Sequence, residues 1–185
     1  MSGQHVLLAV HEDSNANAAL FVDGRLVAAV AEERITRKRY QAGFPHRSVE
    51  EVLRIAGLSK ADVTEFVAGN RFHVVPRLPG KPPPSWDRSF MGVLHWGYLG
   101  YQDSMRRVPL VGDGVQAYSR DALRRRTGWE PSLVDHHEAH AYSAAYSSGW
   151  ERGLVVTIDN FGDGTSCTAW SFAHGALAEL RRIPA

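Results

Sequence analysis

Two dipeptides, Asp23-Gly24 and His174-Gly175, each separate a pair of β-rich apolar runs, and no other feature limits the fold so tightly. A two-residue connector between paired strands needs positive φ at both positions, the type I′ turn, whose twist matches that of the flanking strands. Ala18 to Val22 and Arg25 to Ala31 are therefore one hairpin, and Thr165 to Phe172 with Ala176 to Arg182 a second. Each hairpin follows another short apolar run. His5 to Val10 ends in the polar His11-Glu12-Asp13-Ser14-Asn15, and Gly153 to Ile158 ends in Asp159. Both runs read as buried strands opening into loops.

Between the two trios the pattern changes period. Val49, Val52, Leu53 and Ala56 form an apolar stripe at helical spacing that Gly57 ends. Ser48 and Glu51 stand at the spacing of a reciprocal capping box at its start. Glu65 to Gly69 reads as a strand, Arg120 to Arg126 as a helix with a solvated terminus, Ser132 to Val134 as a strand and His136 to Ser147 as a helix. Residues 71–118 interrupt this order with Pro76, Pro79, Pro82-Pro83-Pro84, Trp86 and Trp96. Prolines exclude regular helix and central strand there. A loop so long is either a binding surface or lid, or a packed insertion whose aromatics cover the core. Three strands, helix, strand, helix, strand, helix and three more strands make an α/β chain with an internal echo. Residues 1–150 form a first half and 151–185 the opening three strands of a second.

Composition narrows the function. Lys and Arg exceed Asp and Glu by a single charge. A chain that coats nucleic acid or an anionic membrane needs a strong basic excess. The 44% hydrophobic content suffices for a core. One cysteine permits neither a disulfide framework nor a cysteine-built zinc site, and a reducing cytoplasm is the compartment expected. No stretch of about 18 apolar residues or signal-peptide pattern is present, so no membrane role is expected.

Chemistry concentrates in four places. In Asp135-His136-His137-Glu138-Ala139-His140, a helix stacks His136 and His140 on one face, and two imidazoles so placed suit one metal ion. His137-Glu138-Ala139-His140 is one residue short of the HExxH order, which disfavours a zincin-type hydrolase. The competing reading makes some of these histidines caps or core hydrogen-bond partners. Asp159, at a strand end, is a candidate third ligand, and Gly162, Asp163, Gly164 and Thr165 a candidate phosphate nest or an ordinary hairpin turn. An EF-hand fails because Phe161 and Trp170 would occupy ligand positions. His11 and Asp13 form either a general base with its orienting carboxylate or a solvated turn. Glu32 to Tyr40 reads as a solvated charged face, with Arg34 and Arg37 as alternative partners of an acyl phosphate or nucleotide.

These segments, in order, resemble the O-carbamoyltransferases of the nodulation, cephem and tobramycin type. The resemblance is carried by His11-Glu12-Asp13 and the hairpin after it, by Ala31-Glu32-Glu33-Arg34-Ile35-Thr36-Arg37 through Gly43-Phe44-Pro45, and by Ala56-Gly57-Leu58. His136-His137-Glu138-Ala139-His140-Ala141 and Ile158-Asp159 through Gly164 complete it. Arg39-Tyr40 stands where the family often has lysine and histidine, so no role for that lysine carries over.

The resemblance implies a duplicated ribonuclease-H-like fold of the actin/sugar-kinase superfamily, its first half complete and its second begun. It implies that carbamoyl phosphate and ATP give carbamoyl adenylate in a YrdC-like domain, absent from these residues. That domain and the rest of the fold are then expected on a partner chain or in a longer protein. The carbamoyl group passes to a hydroxyl of a small-molecule natural product. His136, His140 and Asp159 are then metal ligands, most readily for iron by resemblance, with zinc or manganese also compatible with the donor set. His11 is the candidate base on the acceptor hydroxyl and Gly162 to Thr165 hold the adenylate phosphate. Apart from the resemblance, substrate selection is expected within residues 71–118, by stacking on Trp86 or Trp96. The alternative is a non-catalytic nucleotide- or metal-binding subunit of the same fold.

Overall fold

A computed structural model of the chain describes residues 3–12, 15–71, 97 and 109–184. Asp13, Trp86 and Trp96 lie outside the described residues. The chain falls into two compact units, one of residues 1–71 and 120–134, the other of residues 72–119 and 135–185.

In the first unit, β1 (Val6–His11) alternates buried Val6, Leu8 and Val10 with half-buried neighbours. It pairs antiparallel with β2 (Asn17–Val22) and parallel with β4 (Glu65–Gly69). β3 (Arg25–Ala31) continues the antiparallel side and β5 (Pro131–Val134) the parallel side, giving the order β3-β2-β1-β4-β5. The β2–β3 connection has φ of 49° at Asp23 and 77° at Gly24, the I′ signature expected from the dipeptide. Helix α2 (His46–Ala56) lays Val49, Val52 and Leu53 onto β2 and β3 and stops where Gly57 turns left-handed at φ 67°. Leu8, Leu20, Phe66, Ala68 and Leu123 complete this core.

The charged segment after β3 departs from the expected solvated face. It begins with a short helix, α1 (Glu32–Thr36), and Glu32 is buried. Its carboxylate accepts from the Ser48 backbone N–H at 2.7 Å, the Ser48 hydroxyl at 2.8 Å and the Arg47 N–H at 3.2 Å. A helix start leaves N–H groups without intrahelical partners and attracts negative charge, and Glu32 supplies both needs. The expected capping box does not form. Ser48 donates rather than caps, α2 starts two residues earlier, and Glu51 pairs with Arg54 at 2.7 Å.

Helix α3 (Pro109–Thr127) also starts earlier than the sequence reading, which left residues up to 118 irregular. Pro109 sits at the first position, where its missing N–H costs no hydrogen bond. At the other end Arg126 is not merely solvated: it reaches the buried Glu12 carboxylate at 2.8 Å.

The second unit contains helix α4 (His136–Ser147) and an antiparallel sheet of order β6-β7-β8, with β6 Arg152–Gly162, β7 Thr165–Ala173 and β8 Ala176–Pro184. Both hairpins turn on two residues of positive φ, Asp163 and Gly164, then His174 and Gly175. His137, Ala141 and Ala145, one helical turn apart, are the buried stripe of α4, which packs on all three strands. No described helix is long and apolar enough to cross a membrane.

Candidate metal centre

The site grows from the start of α4. Asp135 is the N-cap, and its carboxylate accepts from the Glu138 N–H at 3.1 Å. A second carboxylate, Asp163 from the β6–β7 turn, accepts from the His136 N–H at 3.0 Å. The helix therefore begins clamped to the hairpin, and its first residue carries an imidazole directly over the turn.

On β6, side chains alternate faces, so Asp159 shares a face with Thr157, and Thr157 is buried. The β6–β7 ladder runs in register to Ile158 opposite Cys167, then resumes at Gly162 opposite Thr165. Asp159 sits at the start of this irregularity, where one strand carries extra residues and bends. Such bulges re-aim side chains, and here the Asp159 carboxylate meets the histidines.

His136 Nε2 lies 2.7 Å from Asp159 Oδ2, His140 Nε2 lies 3.1 Å from His136 Nε2, and His140 Nε2 lies 3.8 Å from Asp159 Oδ2. One ligand atom from each lies within 4.8 Å of the others. Ligands bound about 2.0–2.2 Å from one cation stand roughly 2.8–3.6 Å apart in octahedral or tetrahedral geometry. The observed spacings straddle that range, so the donor set fits a divalent ion with little movement. Two imidazoles and one carboxylate leave coordination positions for other ligands and suit zinc, manganese or ferrous iron.

Gly162 makes room for this arrangement. A Cβ built there would overlap Cγ and Cδ2 of the His136 ring, so the imidazole packs closely against backbone that only glycine leaves open. His140 is more exposed. Burial holds its imidazole below its usual value, the neighbouring His136 pushes the same way, and the Asp159 carboxylate opposes. The unprotonated form, the one that ligates, is thereby favoured.

The other candidate residues are placed as follows. His11 ends β1, opposite Asn17 and Gly69 in the first unit. Arg34 lies exposed on α1 and Arg37 ends that helix in a left-handed conformation at φ 60°. Gly162, Asp163, Gly164 and Thr165 are the β6–β7 turn and its flanks, all buried.

Four supporting residues were not singled out from sequence. Asp135 is held by Arg182 of β8 at 3.0 Å, and the same guanidinium reaches Thr165 Oγ1 at 3.2 Å. Thr157 and Thr168 join hydroxyls at 2.6 Å beneath the helix. His137, the middle histidine, is wholly buried and bonds Thr157 and the Thr165 carbonyl, the core role considered for part of the cluster.

No protein-family model matches the chain. The chain is 31% identical over 166 residues to nodulation protein NolNO of Sinorhizobium fredii, a match covering 87% of this chain and 20% of that protein. It is 28% identical over 164 residues to the uncharacterized protein sll1178 of Synechocystis, covering 83% of this chain and 25% of that one. The chain thus spans a fifth to a quarter of the length of these relatives. Among solved structures it is similar to YeaZ from Pseudomonas aeruginosa, with a TM-score of 0.47 and 17% identity over 97% of this chain and 68% of that one. It is also similar to the Aquifex aeolicus Ppx/GppA family member, with a TM-score of 0.42 and 13% identity over 98% of this chain and 51% of that one. At these scores the structural likenesses add nothing to the reading of the site.

The fold and the His136–His140–Asp159 cluster define a mixed α/β chain with a candidate divalent-metal centre. NolNO falls under the nodulation type that the sequence motifs resemble, and the likeness to it supports the carbamoyltransferase family for this chain.

Proposed function

We propose that this chain is the N-terminal portion of an O-carbamoyltransferase and supplies the site at which a carbamoyl group reaches a hydroxyl acceptor. The observation that carries the reading is the convergence of His136, His140 and Asp159, reached from a sequence related to NolNO. In this reading the chain is a ribonuclease-H-like half of the actin/sugar-kinase type followed by the first strands of a second half. The remainder and a YrdC-like domain belong to the longer protein or a partner. Carbamoyl phosphate and ATP would react there to give carbamoyl adenylate.

A divalent ion, iron foremost, held by His136, His140 and Asp159 would act as a Lewis acid toward the acyl group. His136 and Asp159 hold each other at 2.7 Å, which keeps both donors oriented toward one point. The turn of residues 162–165 is the phosphate-holding part of this reading. His11, with Asp13 as its orienting carboxylate, takes the proton of the acceptor hydroxyl. The hydroxyl oxygen bonds the carbamoyl carbon, the carbon–oxygen bond to the phosphate breaks, and AMP leaves with that electron pair. Trp86 and Trp96 are the proposed stacking surface for a small-molecule natural product.

The test supplies the chain, with the rest of the protein or a partner carrying a YrdC-like domain, with ATP, labelled carbamoyl phosphate and a panel of alcohols. Labelled carbamate on an alcohol, lost in His136→Ala, supports the reading. Nucleotide binding without transfer to any acceptor supports instead a non-catalytic subunit.

A further inference from the structure

His137 lies between two candidate ligands in sequence, yet its ring turns away from them into the unit's interior and has no exposed surface. Its Nδ1 lies 2.6 Å from Thr157 Oγ1 on β6, and its Nε2 lies 2.9 Å from the Thr165 carbonyl oxygen on β7. These two residues bracket the stretch where the β6–β7 ladder is irregular, the stretch that carries Asp159. Asp159 is therefore located less by strand pairing than by whatever fixes the residues on either side.

The hydrogens along this chain can be assigned from partner chemistry. A carbonyl oxygen only accepts, so Nε2 of His137 carries a hydrogen and donates it to Thr165. An imidazole with its hydrogen on Nε2 accepts at its other ring nitrogen, and the partner of Nδ1 is a hydroxyl able to donate. The Thr157 hydroxyl therefore donates to Nδ1. With its only hydrogen spent, Thr157 accepts from the Thr168 hydroxyl at 2.6 Å, and Thr168 in turn accepts from Trp170 Nε1 at 2.6 Å. Every hydrogen from Trp170 to Thr165 points one way, and the ring keeps no lone pair for a cation.

We propose that His137 is the positioning residue of the metal centre: locked as the Nε2–H tautomer, it braces Thr157 and Thr165 so that Asp159 meets His136 and His140. The inference rests on the reading of those three side chains as cation ligands and adds the residue that sets their geometry. It also explains the three adjacent roles in one helical turn. His136 and His140 face the hairpin tip, while His137, about 100° around the helix, faces the strands.

Three measurements test it. Long-range proton–nitrogen spectra of the labelled protein are expected to show His137 as the Nε2–H tautomer; an Nδ1–H ring overturns the assignment. Titration with Co²⁺ is expected to show affinity about tenfold weaker in Thr157→Val, the cost typical of outer-shell changes, and restored in Thr157→Ser, which keeps the hydroxyl. Equal affinity in all three proteins overturns the positioning role. In metal-free protein the His136 ring resonances, which sense its bond to Asp159, are expected to shift in Thr157→Val and not in Thr157→Ser. Unshifted resonances again overturn it. Should the wild-type protein bind no Co²⁺, the ligand reading fails, and the metal-free spectra still decide whether His137 positions Asp159.

Discussion

Asp135 and Arg182 stand 47 residues apart in sequence and 3.0 Å apart in the fold, joining the cap of α4 to the edge strand β8. The carboxylate is buried and the guanidinium only partly exposed. Because Asp135 also caps α4 and Arg182 also reaches Thr165, this pair fixes the helix against the hairpin that carries the other donors.

Removing one member leaves a buried charge without its partner. Arg182→Ala is expected to destabilise the chain by about 3 kcal/mol, read as a lower midpoint in urea denaturation. Asp135→Asn keeps an oxygen for the Glu138 N–H and is expected to cost less.

The metal centre makes its own forecast. His136→Ala, His140→Ala and Asp159→Asn should each weaken Co²⁺ or Mn²⁺ binding by more than the roughly 10–100-fold that outer-shell changes cost. Calorimetric titration checks this, with far-ultraviolet circular dichroism confirming that each variant remains folded. Retained affinity in all three would separate the cluster from cation binding.

Acidification should act through His140. Its folded value lies below the ordinary one, so as pH falls past about 6.5 the unfolded chain takes up a proton before the folded chain does. The contribution of this residue to metal-free stability is thus complete above that pH and declines below it. Denaturation midpoints measured on either side of pH 6.5 in wild type and His140→Gln read the difference, which should shrink in the variant.

Gly162→Ala tests the close approach of backbone and ring. The added methyl collides with His136, and relief requires moving the imidazole or the turn, at about 1–3 kcal/mol. Stability should fall modestly while metal affinity falls more, because the ring that must move is a donor. An unchanged affinity would show that the ring relaxes without leaving its partners.

Glu32→Ala should destabilise the first unit by about 1–3 kcal/mol, chiefly the cost of leaving the buried N–H and hydroxyl donors of Ser48 unmet. Glu32→Gln, which keeps one accepting oxygen, should recover part of it.

What the sequence disclosed follows a physical divide. Turn dipeptides with forced backbone signs located two of the three two-residue hairpins, and the 3.6-residue period located the stripe of α2. The triad was legible because its parts are local: two histidines one turn apart and an aspartate closing an apolar run, although β6 itself continues to Gly162. Partners brought together by the fold left no such trace. Glu32 sits in a run of charges that reads as solvated, and only its contact with Ser48, 16 residues on, reveals a buried cap. The apparent box of Ser48 and Glu51 satisfied a local rule, yet a stronger acceptor from outside the helix displaced it. Arg182 and Thr157 looked ordinary for the same reason, since their partners lie on other elements.

His136 is gripped twice by one hairpin, through its backbone by Asp163 and through its ring by Asp159. A donor held in this way has almost no freedom left to surrender when an ion arrives. Little of the association energy is then diverted to ordering the protein, so capture should proceed without rearrangement and the empty and loaded forms should superpose closely around α4.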